Sequence, residues 1–143
     1  MWKGRKAKIR LLVMRYVAAI DVGGTEIKCA LVNESLEEIK SVRIATPQSD
    51  STAEKTIGLI ADAISAFQNE YEVTAIGMGL PAVFDDIKGI CRWSGNLGWH
   101  DVPIRQLLQD RTHLPVAASN DIRVAGVAEH RSGASKGFNN SIF

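Results

Sequence analysis

Hydrophobic and polar positions change their period several times along this chain. Tyr16–Val22 is a β-rich run ending in a glycine pair. In the next run, Ile27 to Val32, the residues Ile27, Cys29 and Leu31 fall on one face and Lys28 and Ala30 on the other, the two-residue period of a strand. A turn over Asn33 to Glu37 leads into a third strand, Ile39 to Thr46, which closes a meander. The period then lengthens. Ser51 followed by Glu54 has the form of a capping box, and Ile57, Ile60, Ala61, Ile64 and Phe67 mark one side of an amphipathic helix. Val73 to Leu80 is almost continuously apolar, as expected of a strand covered on both faces. Pro81 to Trp99 is loop-rich, with a hairpin expected around Gly89. Asp101 and Pro103 open a second helix with Ile104, Leu107 and Leu108 inward. Val116 to Ala118 is a further buried strand, and Asn120 to about Arg131 is a third helix with small residues on its packing face. Ser141 to Phe143 has the look of an opening strand. The order β-β-β-α-β-α-β-α predicts a single α/β domain, a mixed sheet flanked by helices.

Composition narrows the class. The chain has 143 residues, 45% of them hydrophobic and 23% charged, which are globular values. No apolar run approaches the roughly 20 residues that span a bilayer. Two cysteines, Cys29 and Cys91, are too few for a disulfide scaffold or a four-cysteine zinc site, so a reducing, cytoplasmic setting is the expectation. The net charge of +1 is unevenly spread. Lys3, Arg5, Lys6, Lys8, Arg10 and Arg15 crowd the start, leaving an acidic body that argues against nucleic acid as partner. Residues 1–15 read as a basic, disordered extension, with Met14 a candidate natural start. Arg15 interrupts their short apolar run and Asp21 follows soon after, so a signal peptide is not expected.

Candidate chemistry begins at Asp21-Val22-Gly23-Gly24-Thr25, with Lys28 three residues on. A strand follows instead of a helix and GxGxxG is missing, so this is neither a dinucleotide fingerprint nor a Walker loop. Adjacent glycines permit a tight turn whose N–H groups can cradle phosphate oxygens. Thr25 adds a hydroxyl and Lys28 a positive charge, while Asp21 at a strand end suits magnesium held through water. An ordinary hairpin turn would look the same. Two later segments decide between them: Gly77-Met78-Gly79-Leu80-Pro81 leading through Asp85 and Gly89 to Ser94-Gly95-Asn96-Leu97-Gly98-Trp99, and Asn120-Asp121 followed by Ala128-Glu129-His130-Arg131.

In this order the three segments resemble the N-terminal half of the ROK family, sugar kinases and sugar-responsive repressors of the actin/hexokinase superfamily. The resemblance covers 16–143 and implies a ribonuclease H-like lobe. Complete members are longer; a second lobe supplies another phosphate loop, the adenine pocket and often a zinc cluster, and its absence here implies an N-terminal piece. By the same resemblance the activity is transfer of the γ-phosphate of ATP to a hexose hydroxyl, O6 of a glucose-like sugar, with Mg2+. Asp121 is then the general base. Asn96, Asn120 and Asp121, with the backbone of Ala82 and Val83, contact the sugar. Asp21, Gly23, Gly24, Thr25 and Lys28 hold the nucleotide's phosphates, with Asp21 at the metal. The implied partners are hexose and ATP, with no nucleic acid and no membrane; a homodimer of the full-length protein is left open. The alternative is a non-catalytic sugar sensor or repressor of the same family.

Two departures stand out. Relatives commonly carry glycine where Ala82 and Val83 stand, and Ser119 and Arg123 flank Asn120-Asp121 where other residues are usual. Arg123 is expected to depress the Asp121 carboxyl, to meet a phosphate, or to be a surface charge. Trp99 is either a pocket wall or a core residue. His100, His113 and His130 are scattered without ligand spacing, and Cys29 reads as a small core residue.

Overall fold

The computed structural model describes residues 14–48 and 53–142. Three strands, β1 (Tyr16–Val22), β2 (Glu26–Val32) and β3 (Glu38–Ala45), form the antiparallel meander; α1 (Ala53–Gln68) and β4 (Val73–Leu80) follow. Then come β5 (Val83–Asp85), β6 (Ile90–Ser94), β7 (Trp99–Val102), α2 (Ile104–Thr112), β8 (Val116–Asn120) and α3 (Asp121–Ser132). The main sheet runs β3-β2-β1-β4-β8, with β4 and β8 parallel to β1. This is the mixed, ribonuclease H-like sheet expected from the sequence.

Alternation decides which face is covered. Ala18, Ile20 and Val22 of β1, Ile27, Cys29 and Leu31 of β2, and Ile76, Met78 and Leu80 of β4 are buried. They form one core with Ile57, Ile60, Ile64 and Phe67 of α1 and Ile104 and Leu108 of α2. Each large aliphatic side chain in that layer contributes roughly 1.5–3 kcal/mol by leaving water. The opposite face carries small residues instead: Ala19, Ala30, Gly77, Gly79 and Ala117 line a groove of about 650 Å³. Tyr16 and Tyr71 meet edge to face at 5.2 Å and close the base of the core.

Three expectations change. The loop-rich stretch 81–99 contains the hairpin at Gly89, but its second strand pairs onward with β7, making a separate three-stranded antiparallel sheet. Short strands broken by glycines hide such pairing from periodicity. The third helix forms, yet none of its residues is buried, and Ile122, Val124 and Val127 are exposed. Its small residues Ala125 and Gly126 are only half-buried, and Ala128 is exposed. Ser141 and Ile142 form no strand, and Phe143 lies outside the described residues. So do the basic segment 1–13 and Ser51 of the expected capping box; α1 starts at Ala53. Among the described residues no helix is long and apolar enough to cross a membrane.

Candidate functional site

The parallel strands β1, β4 and β8 end along one edge, and the three sequence motifs all sit there. Asp21 pairs with Gly79 in register, and Gly79 with Ser119. At about 4.8 Å per strand, the Asp21 and Ser119 backbones lie roughly 10 Å apart. Carboxyl ends of strands in such sheets are where ligands bind.

The glycine turn is built from outside itself. Gly23 N–H donates to the Glu26 carbonyl at 2.9 Å. Thr46 Oγ1 donates to the Gly23 carbonyl at 2.8 Å, and Thr46 N–H to that of Thr25 at 2.9 Å. Gln48 Nε2 donates to the Gly24 carbonyl at 3.5 Å. A Cβ at Gly23 would lie 2.7 Å from the Glu26 carbonyl oxygen, so the turn demands glycine there on steric grounds. Thr46, one of few buried polar residues, is a supporting residue that the sequence reading did not single out. Its strand-end position in a β-branched run concealed it.

Asn96 lies in the β6–β7 turn and is exposed. It meets the glycine turn directly: a Cβ on Gly24 would stand 3.5 Å from Asn96 Cβ. The first and second motifs are thus in contact. Trp99, 4% exposed, belongs to the core and not to a pocket wall.

The third motif heads α3. Asn120 caps the helix, its Oδ1 accepting the N–H of Arg123 at 3.1 Å, while its Nδ2 donates to the Ala82 carbonyl at 3.0 Å. Ser94 Oγ donates to the neighbouring Pro81 carbonyl at 2.6 Å. The backbone leaving β4 is therefore pinned from both sides, with Ala82 buried and Val83 exposed. Asp121 begins the helix proper, where the helix dipole favours a carboxylate. Its Oδ1 accepts the N–H of Ile122 at 2.8 Å; Oδ2 accepts from no donor among the described residues. Gly79 lies against the head of α3: a Cβ there would stand at ordinary contact distance, 3.5 Å, from Asp121 Cα.

Two charged residues have partners within the protein. Lys28 stands opposite Asp21 across β1–β2, and its Nζ donates to Glu38 at 2.6 Å, an exposed pair that holds the Glu38 carboxyl below its usual range. Arg123 pairs with Asp86 in the β5–β6 turn, both side chains remaining exposed. The 650 Å³ groove shares Asp21, Lys28, Gly79 and Ser119 with this edge but excludes Asp121 and Asn96. It lies on the small-residue face, and the buried Ser119 Oγ has no partner among the described residues. All three histidines are exposed, and no group of three or more His, Cys, Asp or Glu suited to a metal occurs among the described residues. Burial pushes the Cys29 thiol up to about 11, as befits a core residue.

Comparison with known proteins places the chain in a family. A glucokinase of Halalkalibacterium halodurans is 32% identical over 133 residues, which span 90% of this chain and 40% of that protein. A xylose repressor of Caldicellulosiruptor bescii is 27% identical over 135 residues, 89% of this chain and 34% of its own length. The crystal structure of a ROK family glucokinase from Streptomyces griseus, in complex with glucose and AMPPNP, superposes with a TM-score of 0.76 at 30% identity, covering 85% of this chain and 38% of the other. The chain thus spans well under half the length of these relatives. The ROK family signature matches residues 17–143. With that match and the shared sheet, this chain belongs to the ROK family.

Proposed function

We propose that this chain is the sugar-holding lobe of an ATP-dependent hexose kinase. One observation carries the reading: the glycine turn, Asn96 and Asn120-Asp121 converge on one sheet edge, with Asn96 against Gly24. Asp121 accepts the proton of the sugar hydroxyl, O6 of a glucose-like hexose, as that oxygen attacks the γ-phosphorus. Such transfer is mostly positioning and charge stabilisation, with a carboxylate orienting the nucleophile. Asn96 and the remaining valences of the Asn120 amide hold vicinal hydroxyls, because an amide both donates and accepts. Gly24 and Thr25 N–H groups and the Thr25 hydroxyl receive phosphate oxygens. Lys28 joins them by leaving Glu38, which costs little for an exposed pair.

Asp21 is the magnesium residue in this reading. A lone exposed carboxylate fits an ion that keeps most of its waters and binds mainly through substrate phosphates. Magnesium, when bound, neutralises charge on the phosphates.

Turnover is assigned to this lobe working against a second one that closes over the nucleotide and excludes water. The 143-residue chain alone is expected to bind hexose weakly and not to turn over. A cytoplasmic protein meeting hexose and ATP goes with this reading. The test is a coupled ADP-release assay on the two-lobed protein with glucose. Asp121→Asn should lower kcat by about 10²–10⁴-fold with hexose affinity nearly unchanged. Unchanged turnover in that variant would overturn the assignment. The similarity to a xylose repressor keeps a sugar sensor as the second reading; hexose binding without turnover, together with a DNA gel shift at moderate salt, would favour it.

A further inference from the structure

We infer that the Arg123–Asp86 ion pair is a positioning latch, fixing the head of α3, and with it Asp121, against the small sheet that carries Asn96. The inference rests on the sugar-site reading above and adds to it two residues outside the three motifs.

The argument starts from how loosely α3 is held. No residue of the helix is buried, so apolar packing contributes little to its placement. Its first turn rests on β4 where Asp121 and the Val124 side chain meet Gly79, and is tied further by the Asn120–Ala82 hydrogen bond and by Arg123–Asp86. An exposed ion pair usually weighs little against a packed interface. Here it joins α3 to an element other than the sheet edge on which the helix rests, and it lies one turn or less from the carboxylate it would orient.

Asp86 is a fixed post. Arg105 of α2 donates from Nη2 to the Asp86 carbonyl at 2.6 Å and from Nη1 to the Ile87 carbonyl at 3.0 Å. Its backbone N–H donates to the Gly89 carbonyl at 3.1 Å. Gly89 takes φ +72° to allow this approach. Arg92 ties Asp85, in the preceding position, to Asp101 of β7. The β5–β6 turn is thereby anchored to α2 and β7, and its Asp86 carboxylate reaches α3. From that turn β6 runs directly to Ser94 and the Asn96 turn. Arg123 therefore links the element bearing the general base to the element bearing a sugar amide.

Glucose is uncharged, so salt has no direct effect on its contacts, whereas an exposed ion pair is screened as ionic strength rises. This gives a signature that loss of stability alone would not produce. The experiment is calorimetric titration of the 143-residue chain with glucose at about 0.01 M and about 0.5 M salt. In low salt, Arg123→Gln and Asp86→Asn should each weaken binding about two- to fivefold, and the double variant no more than either alone. Asp86→Asn leaves the Arg105 bonds intact, since those reach the backbone. High salt should move wild type toward the variants without moving the variants. Arg123→Lys, or the exchange Arg123→Asp with Asp86→Arg, should recover most of the loss.

Equal affinity in wild type and Arg123→Gln, or independent effects of the two substitutions, overturns the latch. A wild-type chain that binds no hexose overturns the sugar reading instead. The latch is then decided by amide exchange at Ile122–Val124, which must speed up equally in both single variants or the latch falls.

Discussion

Asn120 offers a quantitative test because its two amide ends do separate work. Oδ1 satisfies the N–H of Arg123, and Nδ2 satisfies the carbonyl of buried Ala82. Replacing an Asn cap with Ala costs about 1 kcal/mol, and leaving a buried carbonyl unpaired costs about 1–3 kcal/mol. The two losses should appear in different measurements. A helix without buried residues can open while the core stays folded, so the cap controls local opening of α3. The Ala82 bond joins β8 to the backbone leaving β4 and belongs to the global transition. Asn120→Ala should therefore lower urea-derived stability by about 1–3 kcal/mol and speed exchange in the first turns of α3 about fivefold beyond that. Asn120→Asp keeps the cap but turns an acceptor toward the Ala82 carbonyl. It should restore slow exchange in α3 while remaining at least as destabilised globally as Asn120→Ala. Equal loss by both variants in both measurements, or a global change under about 0.3 kcal/mol, would refute this division of labour.

Two further outcomes follow from the geometry. Gly23→Ala forces a methyl to 2.7 Å from a backbone oxygen and should cost about 1–3 kcal/mol in a thermal melt, whereas Gly24→Ala meets Asn96 at ordinary contact distance and should leave the melt nearly unchanged. Burial raises the Cys29 and Cys91 thiols to about 11, so the folded state binds protons that the unfolded state releases. Their contribution is complete below the ordinary thiol pKa of about 8.5 and is lost as pH rises toward 11. Urea stability should accordingly fall across that window, and Cys29→Ala should make the fall shallower.

The main sheet was readable in the chain because each of its strands obeys a local rule. Ile27, Cys29 and Leu31 alternate with Lys28 and Ala30, and Val73–Leu80 is almost continuously apolar; the burial of Ile27, Cys29 and Leu31 follows that spacing. The glycine turn, Asn96 and Asn120-Asp121 were readable as residues with suitable chemistry and as a resemblance. Nothing local stated that Gly24 touches Asn96 or that Asp121 sits on Gly79, since those contacts join segments some 40–70 positions apart.

What tertiary structure alone decided is where polar groups find partners. In the folded chain Lys28 pairs with Glu38 and Arg123 with Asp86, partners that spacing along the sequence did not name. Long charged side chains reach several ångströms in any direction, so their pairing depends on which loop folding delivers, not on spacing. The three-stranded sheet escaped for a related reason: its strands are three to five residues long and exist because Arg92, Ser94 and Arg105 hold them. A helix such as α3 shows the limit from the other side. Its cap and turn propensity are written in Asn120-Asp121, but whether its apolar residues are covered depends on what the fold places beside them, which one-dimensional pattern does not state.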